Sequence, residues 1–382
     1  MTQPPPFRQF VVKLHSRCNL ACDHCYVYEA RDTSWRSRPR AMSAPTMRRL
    51  AERIARHADR HELPVVHVAL HGGEPLLAGR DRVDTLARTL RTALPADTAL
   101  HLSVQTNGTL LDPEWMALFH RHGIRVGVSL DGDADANDRH RRRRDGTGSH
   151  AAVTAGIALL RRPEHRRLYA GLLCTVDLAN DPVRTYEALL AHEPARIDFL
   201  LPHANRQFPP PGHDPLGTPY ARWLLAVFTR WYESPVRETS VRLFDDIMAV
   251  CLGGSSRSEA VGLSVPGFLV VATDGAIEQA DSLHSSYDRA AATGLNVFAH
   301  DFDAAARHPQ IVQWRLGEAG LADACRACEV MKLCGGGIRA HRYLPATGFA
   351  NPSVYCADLE KLTAHIRDRV RADTRELLRS LP

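Results

Sequence analysis

FVVKLHSRCNLACDHCY, residues 10–26, is the stretch whose reading decides the fold. A run of strand-forming residues, Phe10 to His15, leads into three thiols spaced Cys18-x3-Cys22-x2-Cys25, and Tyr26 follows directly. Three is an odd count. Structural zinc is almost always four-coordinate, so a zinc site here must recruit His24 or His15. A 4Fe–4S cube on three thiolates instead leaves one iron with an open position, which catalysis needs and a pure electron carrier avoids. Spacing alone leaves both readings standing.

Outward from this stretch, strand-like runs recur with helical patterns between them. FVVKLH (10–15) is followed by VVHVALHG (65–72), LHLSVQT (100–106), IRVGVSLD (124–131), LYAGLLCTV (168–176) and RIDFLLP (196–202). Their near-continuous apolar character predicts parallel strands buried on both faces. Helices are predicted at about 43–58, 81–94, 112–122, 149–162 and 183–192, with Ser43 and Asp112-Pro113 as start signals. Six βα units are too few for a closed eight-stranded barrel, so the expectation is an α/β fold with an open, partial (β/α)6 TIM-like barrel. Chemistry in such barrels gathers beyond the C-terminal strand ends.

Pro-rich sequence at 209–219 separates this unit from a helical stretch at about 219–233 and 241–252. The division expected is 1–205 for the barrel, 206–264 for a helical bridge and 265–382 for a C-terminal domain. That last part holds Cys325-x2-Cys328-x5-Cys334 and, after 21 intervening residues, Cys356. Four thiolates saturate one cube, with four-Cys zinc as the alternative. Cys174 and Cys251 stand alone and read as small hydrophobes.

Composition is ordinary for a globular chain: 382 residues, 24% charged, 44% hydrophobic, with 25 Gly and 24 Pro. The net charge of +5 rests on arginine, because Lys occurs only at 13, 332 and 361 among 48 basic residues. These are spread among 43 acidic residues, which argues against a nucleic-acid stripe. Arg141–Arg144 reads as a solvated loop face. The sequence lacks an apolar run of membrane-spanning length and a secretory signal pattern, so a cytoplasmic protein with no membrane partner is expected. Nine cysteines in such a chain point to metal or redox chemistry rather than disulfides.

CNLACDHCY resembles the Cx3Cx2C-aromatic signature of the radical S-adenosylmethionine (SAM) enzymes, and further motifs resemble that family at successive strand ends. The resemblance implies that Cys18, Cys22 and Cys25 hold a SAM-binding 4Fe–4S cluster and that Tyr26 packs near the adenine. Gly72, Gly73, Glu74 and Pro75 resemble the GGEP motif that holds the SAM amino group, its glycines letting backbone approach the ligand. Thr106 and Asn107 of the TNG segment and Ser129 of SLDG imply further SAM contacts. Arg141 aligns with an arginine that pairs with the SAM carboxylate, and the backbone at Thr175 implies an adenine contact.

The C-terminal part resembles a SPASM domain, the auxiliary iron–sulfur extension of such enzymes. The full pattern has seven cysteines for two clusters; here Ile338 and Ala280 stand at cysteine positions, and the pair around SEAVGLSV is absent. One auxiliary 4Fe–4S cluster, on Cys325, Cys328, Cys334 and Cys356, is therefore expected. Asp281, directly after the missing cysteine, is the implied general base.

CNLACDHCYVYEARDTSW, DFLLPHAN, EAVGLSV, EQADSLH, CGGGIRAHRY and NPSVYCADL together resemble the FxsB-type cyclophane-forming maturases. The resemblance implies a crosslink from an aromatic carbon to a Cβ in a ribosomally made precursor peptide, and an electron donor such as a flavodoxin or ferredoxin. Rival readings are another product (a thioether, an epimerised residue or formylglycine) and a non-catalytic iron–sulfur redox protein. The absent second auxiliary cluster speaks against formylglycine, whose maturases usually keep all seven cysteines. About nine residues precede the first strand, so the peptide is expected to enter through the open side of the barrel. His203, Asn205 and Arg206, past the sixth strand, are either its neighbours or ordinary loop.

Overall fold

The computed structural model describes residues 5–380. Six parallel strands form its centre: β1 (Gln9–His15), β2 (Val65–Gly72), β3 (Ala99–Thr106), β4 (Arg125–Ser129), β5 (Tyr169–Thr175) and β6 (Arg196–Leu200). They lie side by side in chain order. Consecutive parallel neighbours joined by helices are the partial-barrel arrangement that six βα units predict.

Four of the barrel helices start where a side chain supplies a missing hydrogen-bond acceptor. In α1 (Ala44–Arg60), Ser43 Oγ accepts from the Thr46 amide, and Met47, Leu50, Ala51, Ile54 and Ala58 form its buried stripe. After α2 (Arg80–Ala93), α3 (Pro113–His122) is capped by Asp112, which accepts from the Trp115 amide, and stops at Gly123 with φ +59°. Gly123 has no Cβ to resist that left-handed turn. Next come α4 (Ala134–His140), α5 (His150–Arg161), and α6 (Pro182–Leu190) under an Asp181 cap. The bridge helices are α7 (Pro219–Tyr232) and α8 (Arg242–Cys251).

Two features differ from the sequence-based expectation. The strands are not apolar on both faces. Phe10, Val12 and Leu14 of β1 and Val66, Val68 and Leu70 of β2 are buried, with at most 1% exposure, on the helix side. The opposite alternation carries Lys13, His67, His71, His101 and Gln105. That face lines an open barrel that must hold polar ligands, so polar side chains there cost no unmet hydrogen bonds in a dry core.

The sheet also continues past the barrel. β7 (Ser240–Val241) pairs with β6. β8 (Phe268–Val271), β9 (Ala276–Glu278) and β10 (Ala292–Asn296) extend it on the other side, β8 running parallel to β1. The ten-stranded order is β10-β9-β8-β1-β2-β3-β4-β5-β6-β7. The C-terminal third thus begins as an added edge of the barrel sheet, which places Asp281, three residues after β9, beside Lys13 of β1. The division at 205 and 264 remains our proposal for the domain limits.

A 25-residue helix, Cys356–Ser380, closes the chain and packs on α7 and α8. Its buried Leu359, Leu362, Ile366 and Val370 join the main core. No helix among the described residues is long and apolar enough to cross a membrane.

Candidate active site

The loop after β1 carries Cys18, Cys22 and Cys25, all free and half-buried. Burial pushes the Cys18 thiol up to about 11 and the Cys22 thiol up to about 12, with neighbouring thiols adding to both and Glu74 to Cys18. Arg141, and for Cys25 also Lys13, pull the other way. Two groups of three side chains bring their ligand atoms within 4.8 Å of one another among the described residues, Asp23–His24–His140 and His57–His61–Asp303, and neither contains a cysteine. Tetrahedral zinc with Zn–S near 2.3 Å sets its sulfurs about 3.8 Å apart. Among the described residues, no three cysteine sulfurs lie within 4.8 Å of one another, and sets of three and four thiolates are donor sets that hold 4Fe–4S cubes. Cys325, Cys328, Cys334 and Cys356 are mutually close, since neighbouring thiolates help raise the pKa values of Cys325, Cys334 and Cys356; burial, the larger cause, takes Cys334 to about 12. Cys174 is fully buried in the core, and Cys251 packs against it.

Glu74 is the hub of the strand-end loops. It is fully buried, and its carboxylate accepts hydrogen bonds from the Leu76 amide (3.0 Å), Thr106 Oγ1 (2.7 Å) and the Asn107 amide (2.8 Å). Burial raises its pKa to about 7 despite those three donors. Asn107 Nδ2 in turn donates to Asn19 (2.9 Å) and lies 3.7 Å from Cys18 Sγ. Glu74 therefore fastens the loop after β3 to the loop after β2 and steadies the first cysteine through Asn107.

The neighbouring glycines also pack tightly against the chain itself. A Cβ on Gly72 would run into the His15 carbonyl, and one on Gly73 into Tyr28 Oη and the Arg17 carbonyl. Gly72 and Gly73 make room for the chain's own first strand and cysteine loop. Pro75 opens a short 3-10 turn, Pro75–Ala78, behind them.

Arg141 does not belong to a solvated face. Its Nε donates to Asp131 Oδ2 (2.5 Å) and its Nη2 to Asp131 Oδ1 (3.0 Å), with Asp131 only 3% exposed. The Thr175 amide also donates to Asp131 Oδ1 (2.8 Å). Arg142 and Arg144 are the exposed members of the run. Asp131 thus unites Arg141 and Thr175 at the ends of β4 and β5. Ser129 is half-buried and accepts from Gln105 Nε2 (3.0 Å).

A cavity of about 1120 Å³ opens beside these residues, lined among others by Cys25, Tyr26, Asp131, Thr175, His203 and Ser285. Its size suits a cofactor together with part of a second ligand. Tyr26 meets His203 edge to face (4.6 Å between centroids), and His203 Nδ1 lies 3.3 Å from His341 Nε2. His341 packs on Tyr355, the residue before Cys356 (5.0 Å). A row of four rings therefore joins the two cysteine sets. Asn205 is fully buried and spends its side chain on Ser285, Gln207 and Phe208, so it braces the cavity wall. The Arg206 amide is tied to the Tyr343 carbonyl.

Asp281 sits at the start of a short 3-10 turn, Asp281–Ser285. Lys13 Nζ lies 2.5 Å from its Oδ2, while Oδ1 has no hydrogen-bond partner. His71 and His284 flank it at 3.9 and 3.8 Å. Burial opposes ionisation, yet Lys13 and the two histidines bring the carboxyl down to about 2. His284 is itself bound to the buried Asp32 (2.5 Å). Lys13, Asp131 and Asp32 were not singled out in the sequence. The signal that could have found Lys13 is a lone charge inside an apolar strand.

Residues 12–167 match the Radical SAM superfamily. Over 358 residues the chain is 23% identical to the cysteine-type anaerobic sulfatase-maturating enzyme of Clostridium perfringens (strain 13 / Type A), covering 92% of this chain and 94% of that protein. It is 27% identical over 351 residues to the serine-type anaerobic sulfatase-maturating enzyme of Klebsiella aerogenes, covering 88% and 81%. The fold matches native anSMEcpe with bound AdoMet and Cp18Cys peptide at a TM-score of 0.83, with 20% identity over 98% of this chain and all of that one. Streptococcus suis SuiB bound to precursor peptide SuiA matches at 0.58, with 14% identity over 92% and 76%. The radical SAM family uses a 4Fe–4S cluster and SAM, and the seven clustered cysteines are compatible with both a SAM-binding and an auxiliary site. The chain has the radical SAM fold, and its residues 12–167 match the radical SAM superfamily.

Proposed function

We propose that this chain is a radical SAM maturase that oxidises a residue of a peptide or protein substrate at Cβ, and that the product is an aldehyde of the formylglycine type. When bound, the cluster and SAM supply a carbon-centred radical that removes one hydrogen atom. The observation that carries the reading is Asp281 Oδ1, a buried carboxylate oxygen with no partner, held ionised by Lys13. After the hydrogen atom leaves Cβ, the radical must still lose an electron and the Oγ–H or Sγ–H proton, which gives the aldehyde directly from serine and, from cysteine, a thioaldehyde that water hydrolyses with loss of hydrogen sulfide. Asp281 Oδ1 is an open acceptor for that proton, and Lys13 fixes its orientation and charge. Cys325, Cys328, Cys334 and Cys356 are the holders of the electron acceptor, a 4Fe–4S cluster. Arg141 and Asp131 would set the SAM carboxylate and the adenine side, and Glu74 keeps the loops that receive them in place.

The aldehyde product is favoured by full-length likeness to two sulfatase-maturating enzymes. It displaces the crosslink expected from the sequence motifs as our first reading. The crosslink stays as the second reading on one observation: Ala280 and Ile338 stand where thiols of a second auxiliary cluster are expected.

The test is anaerobic incubation of reconstituted, reduced enzyme with SAM and the Cp18Cys peptide, its serine analogue, or a peptide with an aromatic residue two positions from an aliphatic one. The aldehyde reading predicts a product that reacts with a hydrazide probe. Loss of two hydrogens in the aromatic peptide alone, without hydrazide capture, would establish the second reading instead.

A further inference from the structure

A second cavity, of about 540 Å³, lies within the C-terminal third, away from the three-thiol loop. Its walls come from residues 259–266, Gln279, 287–290, 310–321 and 335–350. These include the stretches where the sequence lacks the expected cysteines.

Three features of the wall point to a ligand. First, two guanidiniums face it without a carboxylate bound to either. Arg342 donates to the carbonyls of Gly335, Gly336 and Gly337, and Arg339 to the Gln310 carbonyl and Gln313 Oε1 at 3.3 Å. The glycines of CGGGIR, with φ between +60° and +75°, turn those three carbonyls toward Arg342. Burial pulls Arg339 down to about 10, with Glu259 as the wall carboxylate acting on it. Two cations and one anion leave the wall net positive.

Second, the cavity holds buried acceptors with no donor. Gln279 is 2% exposed and its Oε1 is unpartnered, as is Gln310 Oε1. An unmet buried amide oxygen costs about 1–3 kcal/mol and is offset when a ligand N–H arrives. Third, Tyr287, Tyr343 and Phe349 form an aromatic patch with centroids 5.1 and 5.4 Å apart in sequence around it, and Arg339 stacks over Phe349 at 4.6 Å. Cation, amide acceptors and apolar rings together recognise a carboxylate joined to peptide N–H groups and an apolar side chain.

We infer that this cavity binds a carboxylate-bearing segment of the peptide substrate, through Arg339 and the open oxygen of Gln279. The inference rests on the proposed peptide chemistry, and the layout supports it. Residues 279–290 wall both cavities, with Ser285 in the first and Gln279, Tyr287 and Ala290 in the second. His341, which touches His203 of the first cavity, lies between Arg339 and Arg342 of the second. In the chain, Asp281 stands between Gln279 of the second cavity and Ser285 of the first.

The experiment is fluorescence-anisotropy binding to the reconstituted holoenzyme with labelled hexapeptides, AAFAAQ and AAFAAE, each as free acid and as C-terminal amide. Binding of AAFAAQ acid assigns the terminal carboxylate; binding of AAFAAE amide assigns the side chain. In either case Arg339→Gln is expected to weaken binding about tenfold or more, with iron content and cluster spectrum unchanged. Hydrogen exchange on the wild-type enzyme is expected to show protection at 259–264 and 335–343, which keeps the test open should the variant fold poorly. Equal binding of AAFAAQ amide, no effect of Arg339→Gln, or protection elsewhere overturns the inference. The readout needs no turnover, so failure of the SAM chemistry, seen as absence of 5′-deoxyadenosine, is recorded separately.

Discussion

Replacing Lys13 with Met tests how the site keeps Asp281 ready to accept a proton. Both side chains are largely buried, at 10% and 14% exposure, and Nζ lies 2.5 Å from Oδ2. Removing one partner of a buried pair costs about 3–5 kcal/mol, because the remaining charge stays desolvated. At 1.36 kcal/mol per pKa unit, that lifts the Asp281 carboxyl by about 2–4 units from its value of about 2. The folded-state pKa of Asp281 is depressed, so its anion is secure down to strong acid in the wild type. In Lys13→Met it enters the range of about 4–6, and the carboxyl is partly protonated in mildly acidic buffer. The assay is peptide product per 5′-deoxyadenosine between pH 5.5 and 9, with iron content measured because Lys13 also acts on Cys25. Wild type is expected to show a flat ratio; Lys13→Met is expected to lose product toward pH 5.5 while deoxyadenosine persists, and Lys13→Arg to restore the flat profile. A fully iron-loaded Lys13→Met enzyme with the wild-type ratio at every pH would refute the role given to the pair.

Further outcomes follow from the same geometry. Asp32→Asn breaks the buried contact with His284, at a cost of about 3–5 kcal/mol measured by denaturant unfolding. His284 is raised by Asp32 and Asp281 against its burial, so this stabilisation is complete below about pH 6.5 and fades as pH climbs past the raised value; Asp32, depressed, gives way only in acid. The penalty of Asp32→Asn should therefore shrink at alkaline pH. Gly73→Ala drives a Cβ into Tyr28 and the Arg17 carbonyl, and should abolish SAM binding by equilibrium dialysis while leaving the second cysteine set loaded. Cys356→Ser should lower iron from about eight to about four per chain and stop product formation while SAM cleavage continues.

Much of the fold was legible because each βα unit carries its own punctuation. Ser43 and Asp112-Pro113 mark helix starts, and the helices at 44–60, 113–122 and 182–190 begin within a residue or two of their expected limits. The polar inner face was misread because Lys13 and His71 sit singly among apolar neighbours, where local pattern shows a strand but not which face meets a cavity. β8–β10 joining the barrel sheet was illegible for a different reason: pairing of β8 with β1 spans more than 250 residues, and nothing in either strand names its partner. At the site, the thiol loops and strand-end motifs read directly, since their ligand chemistry is local in sequence. Roles that depend on a partner far along the chain did not: Asp131 holding Arg141 and Thr175, Lys13 holding Asp281, and Glu74 fastened to Thr106 and Asn107.

The central claim is that the three-thiol loop and its surrounding strand ends bind SAM for radical chemistry on a peptide. The direct measurement is 5′-deoxyadenosine formed by the reduced, reconstituted chain, read beside the mass of the Cp18Cys peptide. The account predicts deoxyadenosine from the wild type, none from Cys22→Ser, and a peptide that loses hydrogen in step with it. No deoxyadenosine from a wild-type chain carrying its full complement of iron would contradict it.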